Sequence, residues 1–137
     1  MDPVAAVRLG ELLGSPVAAA EDLGGQHGAR HFRLRLSDGR LAFAKAGNGP
    51  PSADAASRSF AAEAAGLTWL AESGSVPVPS VLLETADWLV IDWINEGQPS
   101  RESALRFGRE LAGLHAFGAE RFGAPWPDGI TCSTWAP

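Results

Sequence analysis

The spacing of hydrophobic and polar positions in the first third of the chain predicts a short helix followed by β-strands. Asp2 and Pro3 are residue types that begin helices, and the apolar residues after them recur at helical spacing until Gly14. A weak strand is expected over residues 16–21, and the glycine-rich stretch LGGQHG follows it. Apolar and polar residues then alternate in RHFRLRLS, which predicts a half-buried strand whose apolar positions are Phe32, Leu34 and Leu36.

The same unit continues through a turn into a returning strand. Asp38-Gly39 is a pair that tight hairpin turns prefer, and RLAFAK follows it. Because side chains alternate across a strand, Leu41, Phe43 and Lys45 are predicted to share one face. The next segment, GNGPPSADAAS, has no periodicity and many turn-forming residues, so it predicts a mobile loop.

The rest of the pattern predicts two further helices and a second pair of strands. A helix is expected over residues 58–73, and VLLE and WLVIDW then form an antiparallel pair. Ser100 suits the N-cap of a last helix that runs to about Gly118. The chain is therefore expected to have an α+β fold, with one helix packed on a five-stranded antiparallel sheet.

Composition and charge indicate a soluble single domain and exclude several partners. The 137 residues, 14.3 kDa in mass, suffice for one domain with its own core. A net charge of -5 and a pI near 5.1, with no block of Lys or Arg, argue against nucleic acid and anionic membrane as partners. No apolar run approaches the ~20 residues of a membrane span. Because the single Cys132 cannot form an internal disulfide and the N-terminus lacks a secretory pattern, we expect a cytoplasmic protein.

Two charged residues fall on apolar faces of neighbouring elements. Glu63 lies inside the apolar stripe that Phe60, Leu67 and Leu70 form on the predicted helix. Lys45 ends an apolar strand, where a bare ammonium is equally unfavourable. If the helix packs on the sheet, we expect Lys45 and Glu63 to form an ion pair, since each reduces the cost of burying the other. The alternative is that Glu63 reaches solvent at the edge of the stripe and Lys45 is a solvated strand end.

The glycine-rich stretch upstream of this lysine is a candidate phosphate site. Backbone N–H groups in Gly24-Gly25-x-x-Gly28 can approach phosphate oxygens, and a strand lysine beyond them can neutralise charge. The stretch lacks the Gly-Lys-Ser/Thr of a P-loop, and it leads into a strand, whereas a dinucleotide-binding fingerprint leads into a helix. On its own such a stretch is more often only a turn. The order of glycine loop, lysine strand and glutamate helix is nevertheless that of kinases, in which a glycine loop covers the nucleotide.

Two later segments have both a functional and a structural interpretation. In a kinase-like lobe, the chain leaving the last strand offers backbone groups to the adenine edge, and Asp92 and Ile94 would supply them. The same segment can equally be an apolar strand that runs into a loop. On the last helix, His115 shares a face with Ala104 and Leu111, so we expect it to face the core as a hydrogen-bonded structural residue.

Taken together, these segments resemble the ketosamine kinases, the family of fructosamine-3-kinase and its bacterial relatives. This family lies within the larger group of aminoglycoside phosphotransferases and choline kinases. The resemblance covers most of the chain in the same order, through LGGQHGARHFRLRLSDGRLAFAK, FAAEAAGLTWLAESGSVPVPSVL, WLVIDWI and FGRELAGLHAFGAERFG. It implies that residues 1–95 form the nucleotide-binding N-terminal lobe of a protein-kinase-like fold. Residues 96–137 would then form the hinge exit and the beginning of an incomplete helical C-terminal lobe.

The resemblance also implies a nucleotide site and a reaction. Lys45 would contact the phosphates of ATP while paired with Glu63. The cofactors would be ATP and Mg²⁺, and the complete enzyme would transfer the γ-phosphoryl group to a sugar hydroxyl of a glycated amine or protein. The nucleotide-binding residues that it implies are Gly24, Gly25, Gln26 and His27 in the loop, Phe43, Lys45 and Glu63 beside it, and Asp92 and Ile94 at the hinge.

The catalytic motifs of these kinases are absent from the sequence. In the family, a His-Gly-Asp motif supplies the aspartate that acts on the attacking hydroxyl, and a later Asp-Pro supplies a magnesium ligand. Neither motif follows Ile94 in this sequence. Because phosphoryl transfer depends on positioning and on metal-borne charge, we assign no catalytic or metal-binding residue. The 137 residues match the first half of the two-lobed enzyme, and we expect at most weak nucleotide binding and no turnover.

Two other functions stay open. The first is a non-catalytic, kinase-like binding or scaffold domain that self-associates through the apolar face of the last helix, and Trp126 and Trp135 are consistent with it. The second is the N-terminal half of a kinase for another small alcohol, such as an aminoglycoside or choline.

Overall fold

The structure, a computed structural model, describes residues 1–26, 28–47 and 55–118. Residues 48–54 of the predicted loop, together with His27, Trp126 and Trp135, lie outside the described residues. The loop prediction is wrong for residues 55–57, which belong to a helix. Within the described part, no helix is long and apolar enough to cross a membrane. The elements in chain order are α1 (Pro3–Leu13), β1 (Val17–Gln26), β2 (Ala29–Leu36), β3 (Leu41–Gly47), α2 (Ala55–Glu72), β4 (Val81–Glu84), β5 (Trp88–Asp92) and α3 (Arg101–Phe117).

The strands form one antiparallel sheet in the order β1-β2-β3-β5-β4. The first three strands follow each other as a meander, and Gly39, at φ 89°, allows the tight turn between β2 and β3. β3 then pairs with β5 and not with β4, so the last hairpin is attached through its second strand. This architecture confirms the expected α+β fold.

One face of the sheet packs against α1. Asp2 caps this helix by accepting hydrogen bonds from the N–H groups of Val4 and Ala5, at 2.9 and 3.0 Å. Gly14 ends it in the left-handed conformation, at φ 68°. The buried core on this face consists of Leu9, Phe32, Leu34, Ala42, Ala44 and Val90. The alternation of β2 and the end points of α1 are therefore as predicted.

The opposite face packs against α2. Phe60 is 4% exposed and forms a second core cluster there with Ala29 and Leu89. The partly buried side chains that pack against this cluster are Ala64, Val81 and Ile91. The two clusters give the molecule three layers, with α1 and α2 on opposite sides of the sheet.

β1 is longer than the sequence pattern predicts. The expected weak strand over residues 16–21 continues to Gln26, because Gly24, Gly25 and Gln26 pair with β2 in a regular antiparallel register. The glycine stretch is thus mostly strand, and a shift of the register between Asp22 and Gly24 marks a bulge in it.

The last helix, α3, is almost fully exposed. Ser100 caps it, with the N–H of Ser103 donating to the Ser100 Oγ at 3.0 Å. No residue of α3 is buried. The expectation that His115 faces a core is wrong, since His115 is exposed. A different side of α3 from that of His115 approaches the rest of the described chain: a Cβ at Gly113 would lie 3.1 Å from the Ser75 Oγ.

Candidate functional site

The central feature of the site is the ion pair between β3 and α2. The Lys45 Nζ lies 2.6 Å from the Oε1 and 2.7 Å from the Oε2 of Glu63. This contact confirms the predicted pairing. The Lys45 side chain is 23% exposed and the Glu63 side chain 35%, so both charges are partly removed from water. Because Glu63 engages the ammonium from one side, Lys45 is held on the α2 face of the sheet with donor capacity left for another anion.

The strand register places Lys45 in one row with the glycine hairpin, which is the turn that joins β1 to β2. Gly24 pairs with His31, His31 with Lys45, and Lys45 with Leu89. Directly paired residues share a face, so His31 and Lys45 lie on the α2 side. Two strand spacings separate Gly24 from Lys45, which is about 10 Å. A polyphosphate can therefore contact both the hairpin backbone and the ammonium.

Phe43 lies in the next row on the same face. It pairs with Arg33 on β2 and with Ile91 on β5. Its ring lies 5.4 Å from the His31 ring, centroid to centroid, with an interplanar angle of 52°. A half-buried aromatic ring two residues from the lysine provides an apolar surface on which a planar base can stack.

The glycines of the hairpin are required by its backbone geometry. Gly24 and Gly28 have φ values of 90° and 79°, which side chains rarely permit. At Gly25, a Cβ would lie 2.9 Å from the Ala29 carbonyl oxygen. Gln26 closes the strand pair opposite Ala29. Three of the predicted loop residues, Gly24, Gly25 and Gln26, thus lie at the same end of the sheet as Lys45.

The predicted hinge begins where β5 ends. The N–H of Asp92 donates to the Ser80 carbonyl at 3.0 Å, and the Asp92 carboxylate accepts from the Ser80 N–H at 3.2 Å. The N–H of Trp93 donates to the Leu41 carbonyl at 3.3 Å, which ties the hinge to the start of β3. Ile94 is 64% exposed. The hinge is thus anchored on both sides up to Trp93 and leaves the sheet at Ile94.

Sequence reasoning missed one contact at this end of the site. The Arg33 guanidinium lies over the Trp93 ring, 4.8 Å from its centroid. Arg33 also approaches Glu21 at 3.7 Å. The alternation of β2 places Arg33 on the Phe43 face, but the pairing of β3 with β5, which brings Trp93 close, is not visible in the sequence.

Described residues line a smaller and a larger cavity. The smaller, of about 220 Å³, adjoins the hinge end of the α2 face and is lined by Ala19, Glu21, Arg33, Arg35 and Leu41. The larger, of about 390 Å³, lies between α1 and the start of β1, where Val7 and Pro16 line it, and it contains no predicted site residue. The smaller cavity is not lined by a predicted site residue either, so the candidate site is defined by the Lys45 row and not by a cavity.

The described residues were also compared with the donor sets that metal ions need. Among them, no three His, Cys, Asp or Glu side chains form a group that could hold a metal ion. The residues on this face instead combine an ammonium, a glycine-rich backbone and an aromatic ring: Phe43 lies about 7 Å along β3 from Lys45, and Gly24 lies about 10 Å from Lys45 across the strands.

A scan against protein-family models matched the fructosamine kinase model over residues 8–134. A search of curated proteins gave no match. Among solved structures, a proposed fructosamine-3-kinase from Thermobifida fusca is 43% identical, with a TM-score of 0.78 over 88% of this chain and 41% of that one. A second proposed fructosamine-3-kinase, from Haemophilus somnus, is 22% identical, with a TM-score of 0.70 over 89% of this chain and 42% of that one.

A more distant similarity concerns the fold alone. APH(2″)-IIa, an aminoglycoside phosphotransferase solved in a ternary complex with streptomycin and ATP, is 12% identical with a TM-score of 0.51. The match covers 77% of this chain and 33% of that one. The sheet and its helices therefore have the architecture of a kinase-like N-terminal lobe, and the chain spans less than half of each of these three proteins.

Proposed function

Because the chain belongs to the fructosamine kinase family, we propose that its sheet and α2 form the ATP-binding part of a kinase-type phosphotransferase. The observation that carries this proposal is the Lys45–Glu63 ion pair in register with the glycine hairpin. An ammonium held by a carboxylate, in register with a glycine-rich hairpin, is suited to a polyphosphate. In this proposal residues 1–95 are the nucleotide-binding lobe, and residues 96–137 lead into a helical lobe.

Each proposed contact has a separate physical role. Lys45 neutralises phosphate charge, and Glu63 keeps its ammonium on the α2 face. The glycine hairpin brings backbone N–H groups to phosphate oxygens, while Phe43 provides a surface for the base. The backbone of Asp92 and Ile94 fits the edge of adenine, because the anchored hinge presents it at the end of β5. Bound ATP with Mg²⁺ supplies the transferable γ-phosphoryl group.

The acceptor in this proposal is a sugar hydroxyl of a glycated amine or protein. The family match and the similarity to two proposed fructosamine-3-kinases support that choice. The sequence contains no His-Gly-Asp after the hinge, so we expect the 137-residue chain to bind nucleotide without phosphorylating the acceptor. An aminoglycoside or choline acceptor is the alternative, which the fold shared with APH(2″)-IIa supports.

Calorimetric titration of the 137-residue chain with Mg·ATP tests the nucleotide site. We expect weak, saturable binding that is tighter for Mg·ATP than for AMP, because AMP lacks the β- and γ-phosphates that Lys45 would contact. A parallel assay for ADP release in the presence of fructosyl-lysine is expected to show no turnover. Absence of saturable binding at millimolar Mg·ATP would contradict the proposal.

A second candidate function is self-association through α3. Leu105, Phe107 and Phe117 are 50–54% exposed on this helix, which buries no residue of its own. At 100° per residue these three side chains lie on different sides of α3, so each offers a separate apolar contact to a second copy of the chain.

Sedimentation velocity at micromolar concentration tests this candidate. We expect a dimer that Phe107→Glu converts to a monomer, because a charge on the apolar surface opposes its burial. Val7→Glu is the matched control, since Val7 is 64% exposed on α1 and the change there should leave the dimer intact. A wild-type chain that sediments as a monomer would rule out self-association.

A further inference from the structure

Asp22 holds the glycine hairpin through two contacts at once. Its Oδ1 accepts a hydrogen bond from the N–H of Gly24 at 2.8 Å. Its Oδ2 accepts from the guanidinium of Arg30, on the other strand of the hairpin. Gly24 has a φ of 90° and lies next to the bulge in β1, so the backbone that Asp22 fixes is the irregular part of the hairpin.

The latch, as we call the Asp22 and Arg30 pair, lies on the sheet face away from Lys45. Asp22 pairs with Phe32, whose side chain belongs to the core on the α1 face. The Arg30 guanidinium lies 5.7 Å from the centroid of the same Phe32 ring. Lys45 pairs with His31 and therefore points to the α2 face. A nucleotide bound beside Lys45 would not touch the latch, which can act on it only through the backbone of the hairpin.

We propose that Asp22 is a positioning residue for phosphate binding: by holding the Gly24 N–H and Arg30, it sets the shape of the glycine hairpin that meets the phosphates. The inference rests on the proposed nucleotide site. It adds that the Gly24 N–H is already engaged, so this group is not one of the phosphate donors. Nucleotide affinity then depends on a residue that makes no contact with the nucleotide.

The direction of the change in Mg·ATP affinity on replacing Asp22 distinguishes a positioning role from a purely electrostatic one. The hydrogen bond from the Gly24 N–H and the Arg30 guanidinium lower the pKa of Asp22, so its carboxylate is ionised throughout the neutral range. A negative charge near a polyphosphate repels it, and removing that charge would by itself tighten Mg·ATP binding. Loss of the latch would loosen the hairpin and weaken binding. The two explanations therefore predict opposite changes for the same substitution.

The chain offers a matched control in its other tight hairpin. The Asp38 Oδ1 accepts from the N–H of Arg40 at 2.9 Å, and its Oδ2 pairs with the Arg40 side chain at 2.7 Å. As in Asp22, a backbone hydrogen bond is the main cause that lowers the pKa of Asp38. Asp38 has the same chemistry at the opposite end of β2, far from the glycine hairpin.

The experiment measures Mg·ATP affinity by calorimetry for the wild-type chain and three variants. We expect Asp22→Ala to weaken binding about fivefold, the effect of one lost hydrogen bond on the site's geometry. Asp22→Asn keeps an oxygen for the Gly24 N–H and should stay within about twofold of wild type. Asp38→Ala should not change affinity.

A spectroscopic signature accompanies these affinities. The amide proton of Gly24 should exchange faster with solvent in Asp22→Ala and retain its protection in Asp22→Asn, as followed in ¹⁵N-labelled protein. If Asp22→Ala does not fold, Asp22→Gln replaces it, because the longer side chain misplaces the acceptor. Wild-type binding together with equal or tighter binding by folded Asp22→Ala, or by Asp22→Gln where it replaces that variant, would overturn the positioning role. Absence of binding by the wild type would instead overturn the nucleotide site itself.

Discussion

Replacement of Lys45 by methionine is expected to weaken Mg·ATP binding by at least about tenfold, because a hydrogen bond to a charged group contributes about 1.5–3 kcal/mol. Methionine keeps an unbranched stem of similar length, so the packing between β3 and α2 should persist. The Glu63 side chain is 35% exposed, so its carboxylate can be solvated when its partner is lost. We therefore expect the variant to stay folded and the change to appear in nucleotide affinity, measured by calorimetry.

The nucleotide AMP serves as the internal control for this prediction. It lacks the β- and γ-phosphates that Lys45 would contact, so its affinity should be nearly the same for wild type and Lys45→Met. Glu63→Gln should produce a smaller loss for Mg·ATP, since the ammonium remains but is no longer held by a charge. The double variant should bind no more weakly than Lys45→Met, because Glu63 acts through Lys45. Equal Mg·ATP binding by wild type and Lys45→Met would remove Lys45 from the site.

The elements that surround this ion pair could be predicted because local patterns specify them. Asp2 and Gly14 bound α1, the alternation through Phe32 defines the inner face of β2, and the apolar stripe around Glu63 identifies the packed face of α2. Burial of two opposite charges on facing elements has few favourable solutions, and the glycine-rich stretch upstream of Lys45 favours their pairing over two solvated side chains. The role of Lys45 and Glu63 in binding a nucleotide stays a prediction.

The contacts that the sequence did not indicate depend on the order of the strands in the sheet. VLLE and WLVIDW read as a hairpin, but no local feature shows that the second of them pairs with β3. The contact of Arg33 with Trp93 follows from that pairing, and so does the anchoring of the hinge to Leu41. The latch of Asp22 needs the continuation of β1 through its glycines, whereas these residues alone indicate a loop.

The error at His115 has a different cause. A helical wheel identifies the more apolar face of α3, but the apolar face of a helix is buried only where another element covers it. In the described residues, α3 meets the chain beside Ser75 along a different edge. The helical periodicity of α3 is therefore as predicted, whereas the burial of His115 is not.

Substitution of Gly25 by alanine is expected to destabilise the chain by about 1–3 kcal/mol, the usual cost of forcing an extra carbon into a filled space. The new Cβ would lie 2.9 Å from the Ala29 carbonyl oxygen, a backbone atom that can move only if the strand pair opens. Opening the pair displaces the hairpin on which the proposed phosphate contacts depend. Urea unfolding measures the stability, and Mg·ATP titration of the folded variant should show weaker binding than wild type.

Gly97→Ala is the matched control for this substitution, because a Cβ at Gly97 would meet nothing within 4 Å and its φ is not in the left-handed region. Alanine there should be neutral or slightly stabilising, since it reduces the freedom of the unfolded chain. A general intolerance of glycine replacement would lower the stability of both variants. A loss of stability confined to Gly25→Ala would show that position 25 requires glycine because β1 packs closely against β2, and not because the loop is flexible. Equal stability of the two variants would contradict the tight strand pair on which both the hairpin and its latch depend.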